Sequence, residues 1–436
     1  MVPGMTRRIF LAGSAGAAAA VGAPRRARAK RPSPNEKLDV AVVGVGGRGR
    51  ANLGGVAGQN VVALCDVDAN TLAKAARRFP KARTFADFRR MLDAVHKQID
   101  AVVVSTPDHT HAVAAAAAMK LSKHCYCEKP LTHSVHECRT LIDLAARNKL
   151  ATQMGTQIHA GDNYRRVVEL VQGGVIGPVG EVFVWHTVSY GVNGRPKDTP
   201  AVPKHLSWDP WLGPAAWRPY HPCYLPGRWR GWRAFGTGGL GDFGCHYMDL
   251  PFWALKLRHP TTVEAEGPPQ HPESTPRWLK VRYAFPRRGA LCPVTMTWTD
   301  GGKRPARLDK LLAPLGAEAK RWRTGILFVG SKGMVLANYG SRKLLPADTF
   351  AGVKPPEQTI PKSIGHHAEW IAACKTGGPT TCNFAYSGTL SEAVLLGVVA
   401  YRTGEKLTWD PKNLKAVNCP KADQYIRTPY RKGWVL

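Results

Sequence analysis

Cysteine is sparse in this sequence: ten residues among 436, sitting singly except for Cys125 and Cys127. That excludes a disulfide scaffold and points to buried structural thiols. Cys125 and Cys127 fall on a predicted strand, where alternate residues share a face, and a single intervening residue on a strand is not a zinc-ligand spacing. Beyond the first 29 residues no run is long and apolar enough to suggest a membrane span. Internal repeats are absent, as are low-complexity tracts outside the N-terminal leader. Neither a basic helix of the nucleic-acid kind nor a stacked-aromatic RNA signature occurs. Acids are scarce too, 31 against 61 Lys and Arg, for a net charge of +30. Such a balance favours anionic partners such as nucleic acid, lipid headgroups or acidic glycans. The basic residues are spread along the chain, however, which reads as a solvated basic surface with no nucleic-acid partner.

What the sequence does have begins with a leader. Thr6-Arg7-Arg8-Ile9-Phe10-Leu11 resembles the twin-arginine export signal, an Ala/Gly-rich apolar stretch covers residues 11–23, and Ala27-Arg28-Ala29 offers small residues to a signal peptidase. Residues 1–29 contain five Arg and no acid. They are expected to be a signal peptide, with the twin-arginine machinery as partner and the periplasm as destination.

From residue 38 to 155, apolar strand runs (38–43, 61–65, 100–104, 125–127, 151–154) alternate with helical stretches such as 69–79 and 133–148. This alternation predicts an α/β Rossmann domain with a doubly wound parallel sheet. After a further helical stretch at 162–171 the pattern changes. Pro-, Trp- and Arg-rich sequence at 195–232 mixes with strand candidates at 179–188, 278–284, 294–299 and 326–329, and a patterned helix covers 387–402. Residues 156–403 thus read as an α+β domain with an open, mostly antiparallel sheet, for substrate binding and oligomerisation. Residues 404–436 read as a polar, irregular tail.

Gly44-Val45-Gly46-Gly47-Arg48-Gly49 fits G-x-G-x-x-G between a strand and a helix. Gly44 permits the tight turn, Gly46 lets the backbone approach a pyrophosphate, and Gly49 allows close helix–strand packing. The helix N-terminus offers free N–H groups to the phosphates. Asp66, 22 residues after Gly44, is placed to accept hydrogen bonds from the adenosine ribose. Its charge repels the 2′-phosphate of NADP and no Arg follows it, so NAD is the expected cofactor in preference to NADP.

Two further motifs, Ser105-Thr106-Pro107-Asp108-His109-Thr110-His111 and Cys127-Glu128-Lys129-Pro130, each follow a strand. With the glycine loop they resemble the glucose–fructose oxidoreductase/inositol dehydrogenase (Gfo/Idh/MocA) family over about residues 38–403. The resemblance implies that Ser105, Thr106, Pro107, His109 and Glu128 lie against the cofactor. It implies too that Lys129 lies beside the nicotinamide and the reacting oxygen, with a cis Lys129–Pro130 bond, and that Gln157 is an amide near the nicotinamide. The segment from Gly238 to Asp249 resembles the family's D-x-x-x-H element. Asp242 and His246, at i and i+4, share one helical face. Oxidising a hydroxyl needs a base for its proton. His246 is assigned as proton acceptor, Asp242 as its partner or an acceptor for a substrate hydroxyl, and Lys129 as the charge stabiliser. Tyr164 and Arg165 are substrate candidates by the same resemblance, and Trp229, Arg230 and Trp232 could stack on and hydrogen-bond a sugar. His366 and His367 are adjacent and so diverge on a helix, and His109-Thr110-His111 belongs to a cofactor loop, so no metal site is expected.

The reading that follows is an NAD-dependent oxidoreductase acting on a CH–OH group of a sugar or sugar derivative. Exported from the cytoplasm, it would have no NAD pool to exchange with, so the cofactor should be tightly bound and reset at every turnover. Two alternatives remain: a glycosidase working by transient oxidation, elimination, hydration and re-reduction, and a non-catalytic sugar-binding module. A homo-oligomer is expected, since an open sheet face commonly packs against a partner subunit.

Overall fold

A computed structural model describes residues 36–436; the leader read at residues 1–29 lies outside the described residues. Strands β1 (Asp39–Val43), β2 (Asn60–Cys65), β3 (Arg83–Phe85), β4 (Ala101–Val104), β5 (His124–Cys127) and β6 (Thr152–Met154) form one six-stranded parallel sheet in the order β3-β2-β1-β4-β5-β6. β4 is Ala-Val-Val-Val with every residue buried, as a parallel strand covered by helices on both faces requires. The strand order reverses between β1 and β4, which opens a crevice at their carboxyl ends. Helices Gly47–Gly55, Asp108–Lys120 and Val135–Arg147 follow β1, β4 and β5. The last begins with a capping box in which the Glu137 carboxylate accepts from the Ser134 N–H at 2.8 Å. Cys125 and Cys127 are buried on β5 in the same apolar cluster.

The second sheet has nine strands: β7 (Val179–Trp185), β8 (Thr262–Glu266), β9 (Lys280–Phe285), β10 (Val294–Thr299), β11 (Gly325–Gly330), β12 (Met334–Ala337), β13 (Arg342–Leu345), β14 (Leu407–Asp410) and β15 (Lys415–Ala416). Their order is β13-β12-β11-β7-β10-β9-β8-β14-β15, antiparallel throughout except for β7 beside β10. Val184, Tyr283, Met296, Trp298 and Phe328 turn inward and pack with Leu390, Val394 and Leu395. These last belong to helix Phe384–Thr403, which is long and apolar enough to cross a membrane. That corrects the expectation that no segment past the leader qualifies. Its most apolar stretch is 83% buried inside the protein, so it is a core helix, packed on Val135–Arg147 and Gly238–Tyr247.

The outer face of the sheet, where a partner subunit is expected to pack, is partly covered by the chain itself. Phe183, Trp185, Leu327, Leu336 and Leu345 are roofed by Leu308, Leu312 and Trp322, and the Trp185 Nε1–H donates to the Trp322 carbonyl at 2.9 Å. Elsewhere on the sheet Glu264, Glu266, Lys280 and Arg282 are exposed and charged.

Residues 404–436 are not the irregular tail that their polarity suggests. β14 pairs with β8, and Trp409 and Ile426 are buried in the main core. The boundary between domains is also blurred from the other side. Helix His366–Thr376 returns to the first sheet, where Trp370 and Cys374 pack with Val40, Leu64 and Tyr126.

Candidate active site

A cleft of about 720 Å³ opens where the two domains meet, at the carboxyl ends of β1 and β4. Its floor is the glycine loop. At Gly44, with φ +81°, a Cβ would stand 2.6 Å from the Ser105 carbonyl oxygen, and at Gly49 one would stand 2.0 Å from the Gly44 carbonyl. Only glycine allows strand, loop and helix to approach this closely. Gly44, Gly46, Gly47 and Arg48 line the cleft, whereas Gly49 supports it from behind by helix packing.

Asp66 lies at one end. Its carboxylate accepts from the Val45 N–H at 2.9 Å and the Asp68 N–H at 3.0 Å, bracing the loop, and burial pushes its pKa up. Asp68 and Asp87 line the same cleft. A strap from the second domain closes over this end. The Ala69 N–H donates to the His205 carbonyl and the Ser207 N–H to the Val67 carbonyl, each at 2.8 Å. Pro203, Leu206, Pro210, Trp211 and Tyr220 of the strap then form cleft wall.

At the other end Glu128 is a buried hub. Its Oε1 accepts from Arg48 Nε at 3.2 Å, Asn52 Nδ2 at 2.9 Å and Gln157 Nε2 at 2.7 Å. Ser105, Thr106 and Pro107 line the cleft beside it. His111 pins their loop to the next, its ring nitrogens lying 2.7 Å from the Thr106 carbonyl and 2.8 Å from that of Pro130. The Lys129–Pro130 bond is cis.

Lys129 meets Asp242 here. The ammonium is ion-paired to Oδ1 of Asp242 and donates to the Asp242 carbonyl oxygen at 2.7 Å. Oδ2 accepts from the Tyr190 hydroxyl at 2.6 Å and Arg230 Nε at 3.0 Å. Burial opposes ionisation of this carboxyl, but Lys129 and Arg230 outweigh it and hold the pKa well below the usual carboxylate range. One helical turn on, His246 also lines the cleft. Burial first, and then the Lys129 charge, hold its imidazole neutral by pushing its pKa well below the usual value. Its Nδ1 is buried with no partner among the described residues. Asp242 therefore spends its oxygens on Lys129, Tyr190 and Arg230 rather than on orienting His246, which removes one of the two roles expected of it.

Four other expectations need correction. His109 lies outside the cleft: burial lowers its pKa to about 3, and its ring sits against the carbonyls of Trp211 at 3.0 Å and Phe235 at 3.3 Å, docking the second domain on the first. Tyr164 is buried with its hydroxyl donating to the His246 carbonyl at 3.1 Å, behind the cleft. Arg165 turns away to the Pro361 carbonyl at 2.9 Å. Trp232 is buried in an aromatic cluster and donates to the Cys223 carbonyl at 3.2 Å. Trp229 and Arg230 do line the cleft, with the Arg230 guanidinium 4.3 Å from the Trp229 ring centre. His366 and His367 diverge: the first reaches the Met154 carbonyl, the second Asn52. Tyr190 and the strap are what the sequence reading misses; the Pro- and Trp-rich composition at 195–232 was the only signal of the strap, and Tyr190 gave none.

A family model described as "Oxidoreductase family, NAD-binding Rossmann fold" matches residues 38–156, and one described as "Oxidoreductase family, C-terminal alpha/beta domain" matches 160–294. An inositol 2-dehydrogenase of Salmonella typhimurium is 27% identical over 146 residues, covering 32% of this chain and 43% of the relative. A glycosyl hydrolase family 109 protein of Akkermansia muciniphila is 27% identical over 229 residues, covering 49% of this chain and 43% of its own length. The chain thus spans less than half the length of these curated relatives. Among solved structures, the WlbA dehydrogenase of Chromobacterium violaceum, in complex with NADH and UDP-GlcNAcA, matches with a TM-score of 0.61 at 16% identity, over 88% of this chain and 99% of that one.

Proposed function

Because the chain belongs to the Gfo/Idh/MocA oxidoreductase family, we propose that it oxidises a CH–OH group of a sugar or sugar derivative with a tightly held NAD. The observation that carries this reading is the meeting of Lys129 from the first domain with Asp242 and neutral His246 from the second, in the cleft floored by the glycine loop.

The residues present fit a dinucleotide. At Gly47 nothing lies within 4 Å of where a Cβ would stand, so the loop leaves open space there, and Gly46, Gly47 and Arg48, all lining the cleft, would hold a pyrophosphate at the helix N-terminus. Asp66 would take the ribose hydroxyls; Ser105, Thr106, Pro107, Glu128 and Gln157 would line the nicotinamide half. Asp66, Asp68 and Asp87 together at the adenosine end favour NAD over NADP, since a 2′-phosphate would meet like charge. When bound, NAD supplies the hydride acceptor. Lys129, oriented by the Asp242 carboxylate and carbonyl, stabilises negative charge on the reacting oxygen. His246, held neutral, takes the hydroxyl proton. Arg230 and Trp229 would bind and orient the sugar ring.

The strap over the Asp66 end supports retention of the cofactor, and the leader at residues 1–29 supports twin-arginine export to the periplasm, where a retained cofactor must be reset by the substrate itself. Cleavage of a glycoside through transient oxidation is the second reading. It is favoured by the Akkermansia relative, which aligns over more of this chain than the dehydrogenase does. The test is mass spectrometry of products from a glycoside panel, using purified protein without added cofactor. A keto-sugar supports oxidation, a free aglycone supports the second reading, and conversion of nothing in the panel overturns both.

A further inference from the structure

Three residues beyond Arg230 the chain turns its back on the cleft. Arg233 there faces a second, separate cavity of about 40 Å³, walled also by Arg402, His133, Thr275, Tyr425 and Thr428. One molecule of water needs roughly 10–15 Å³, so the space admits a few waters or one tetrahedral anion. No Asp or Glu lines it among the described residues, and residues 1–35 contain none.

The two guanidiniums are poorly matched to these walls. Arg233 satisfies its Nε on the Ser274 carbonyl at 2.6 Å, yet its Nη2 is buried without a partner among the described residues. So is Nε of Arg402. The Arg402 guanidinium carbon stands 3.8 Å from the Tyr425 ring centre, a cation–π contact that leaves its charge unneutralised. Burial, and then the like charge of Arg233, lower the Arg402 pKa to about 10. Burial and the Arg402 charge lower that of His133 to about 4, leaving it a neutral wall. Both arginines are half-buried, but donor atoms that are themselves buried and idle are costly unless paired. Ser134 and Val135, at the positive end of helix Val135–Arg147, add to the same wall.

We propose that this cavity binds a small tetrahedral oxyanion, inorganic phosphate or sulfate, between Arg233 and Arg402. Guanidinium forks match oxyanions better than they match halides. The bound ion would tie three parts of the chain together: the segment that carries Arg230 into the cleft, the end of helix Phe384–Thr403, and residues 425–428. The cavity is distinct from the cleft, since none of its lining residues lines the cleft as well.

The test uses the purified full chain, exchanged into phosphate- and sulfate-free buffer. Titration with inorganic phosphate, and separately with sulfate, should raise the melting temperature saturably by about 2–5 °C. Sodium chloride at matched ionic strength should give no such saturation. The shift should vanish in Arg402→Met and in Arg233→Met. Equal stabilisation by chloride, or an unchanged phosphate shift in both variants, would overturn the proposal. Because an arginine variant can fail to fold, a second measurement uses the unaltered protein. Crystals soaked in selenate should give an anomalous peak between Arg233 and Arg402, and its absence at saturating selenate would equally overturn the site.

Discussion

Lys129, two residues past a buried parallel strand, and Asp242, on a helix of the other domain, form a nearly buried ion pair across the cleft, with side-chain exposures of 12% and 8%. The pair joins the two domains at the point where chemistry is proposed. Asp242 also carries Arg230 and Tyr190, so its charge sets the positions of three neighbours at once.

Asp242→Asn should therefore destabilise the fold as well as the activity. Removing one partner of a buried pair costs about 3–5 kcal/mol. The folded-state pKa of Asp242 is depressed, so its contribution is present above the unfolded value of about 3.9 and is lost as pH falls below it. Unfolding of wild type and variant in denaturant should show a constant gap above about pH 5 that narrows under acid. A gap that is independent of pH down to 2 would contradict the pairing.

His246 gives a kinetic prediction. Burial and the Lys129 charge hold its pKa below the ordinary value of about 6.5. The acid limb of the kcat/KM profile should lie below that pH. Lys129→Met, assayed at whatever residual rate remains, should move the limb upward, because one of the two depressing influences is gone. An acid limb unmoved by Lys129→Met would argue against His246 as the base.

Cofactor identity is checked by denaturing the purified protein and analysing what it releases. NAD is expected. Asp66→Ala should weaken its retention roughly 10–150-fold, from loss of hydrogen bonds worth about 1.5–3 kcal/mol, together with slackening of the Val45 turn that Asp66 braces. Release of NADP alone would contradict the assignment.

Export is tested by changing Arg7 and Arg8 to Lys and following the processed form in cell fractions. The precursor should remain in the cytoplasm. Unchanged delivery would remove the reason for expecting a cofactor reset by substrate.

Most of the first domain is legible in the sequence because parallel strands buried on both faces are continuous apolar runs, as β4 is. β3 escapes, being three residues with Arg83 and Thr84 exposed. β14 escapes for a related reason: Leu407-Thr408-Trp409-Asp410 alternates correctly but for only four residues. At the site, motifs locate Lys129, Asp242, His246 and the glycine loop, since spacing along one strand end or one helix face fixes where side chains gather. Motifs do not fix which way a neighbour points. Tyr164 and Arg165 sit on a helix near the cleft yet turn into packing, and of Trp229 and Trp232, both in one aromatic cluster, only Trp229 reaches the cleft. Tyr190 reaches Asp242 from a stretch with no regular structure, and nothing local in sequence encodes that contact.

The most direct measurement is turnover by Lys129→Ala and His246→Ala, each purified with its own bound cofactor, on the first substrate that the unaltered protein converts. Each should retain near-normal NAD content while turnover falls about 10²–10⁴-fold. The double variant should lose less than the product of the two factors, because both groups serve one proton and charge transfer. Wild-type turnover in both single variants would contradict the placement of the chemistry at this cleft.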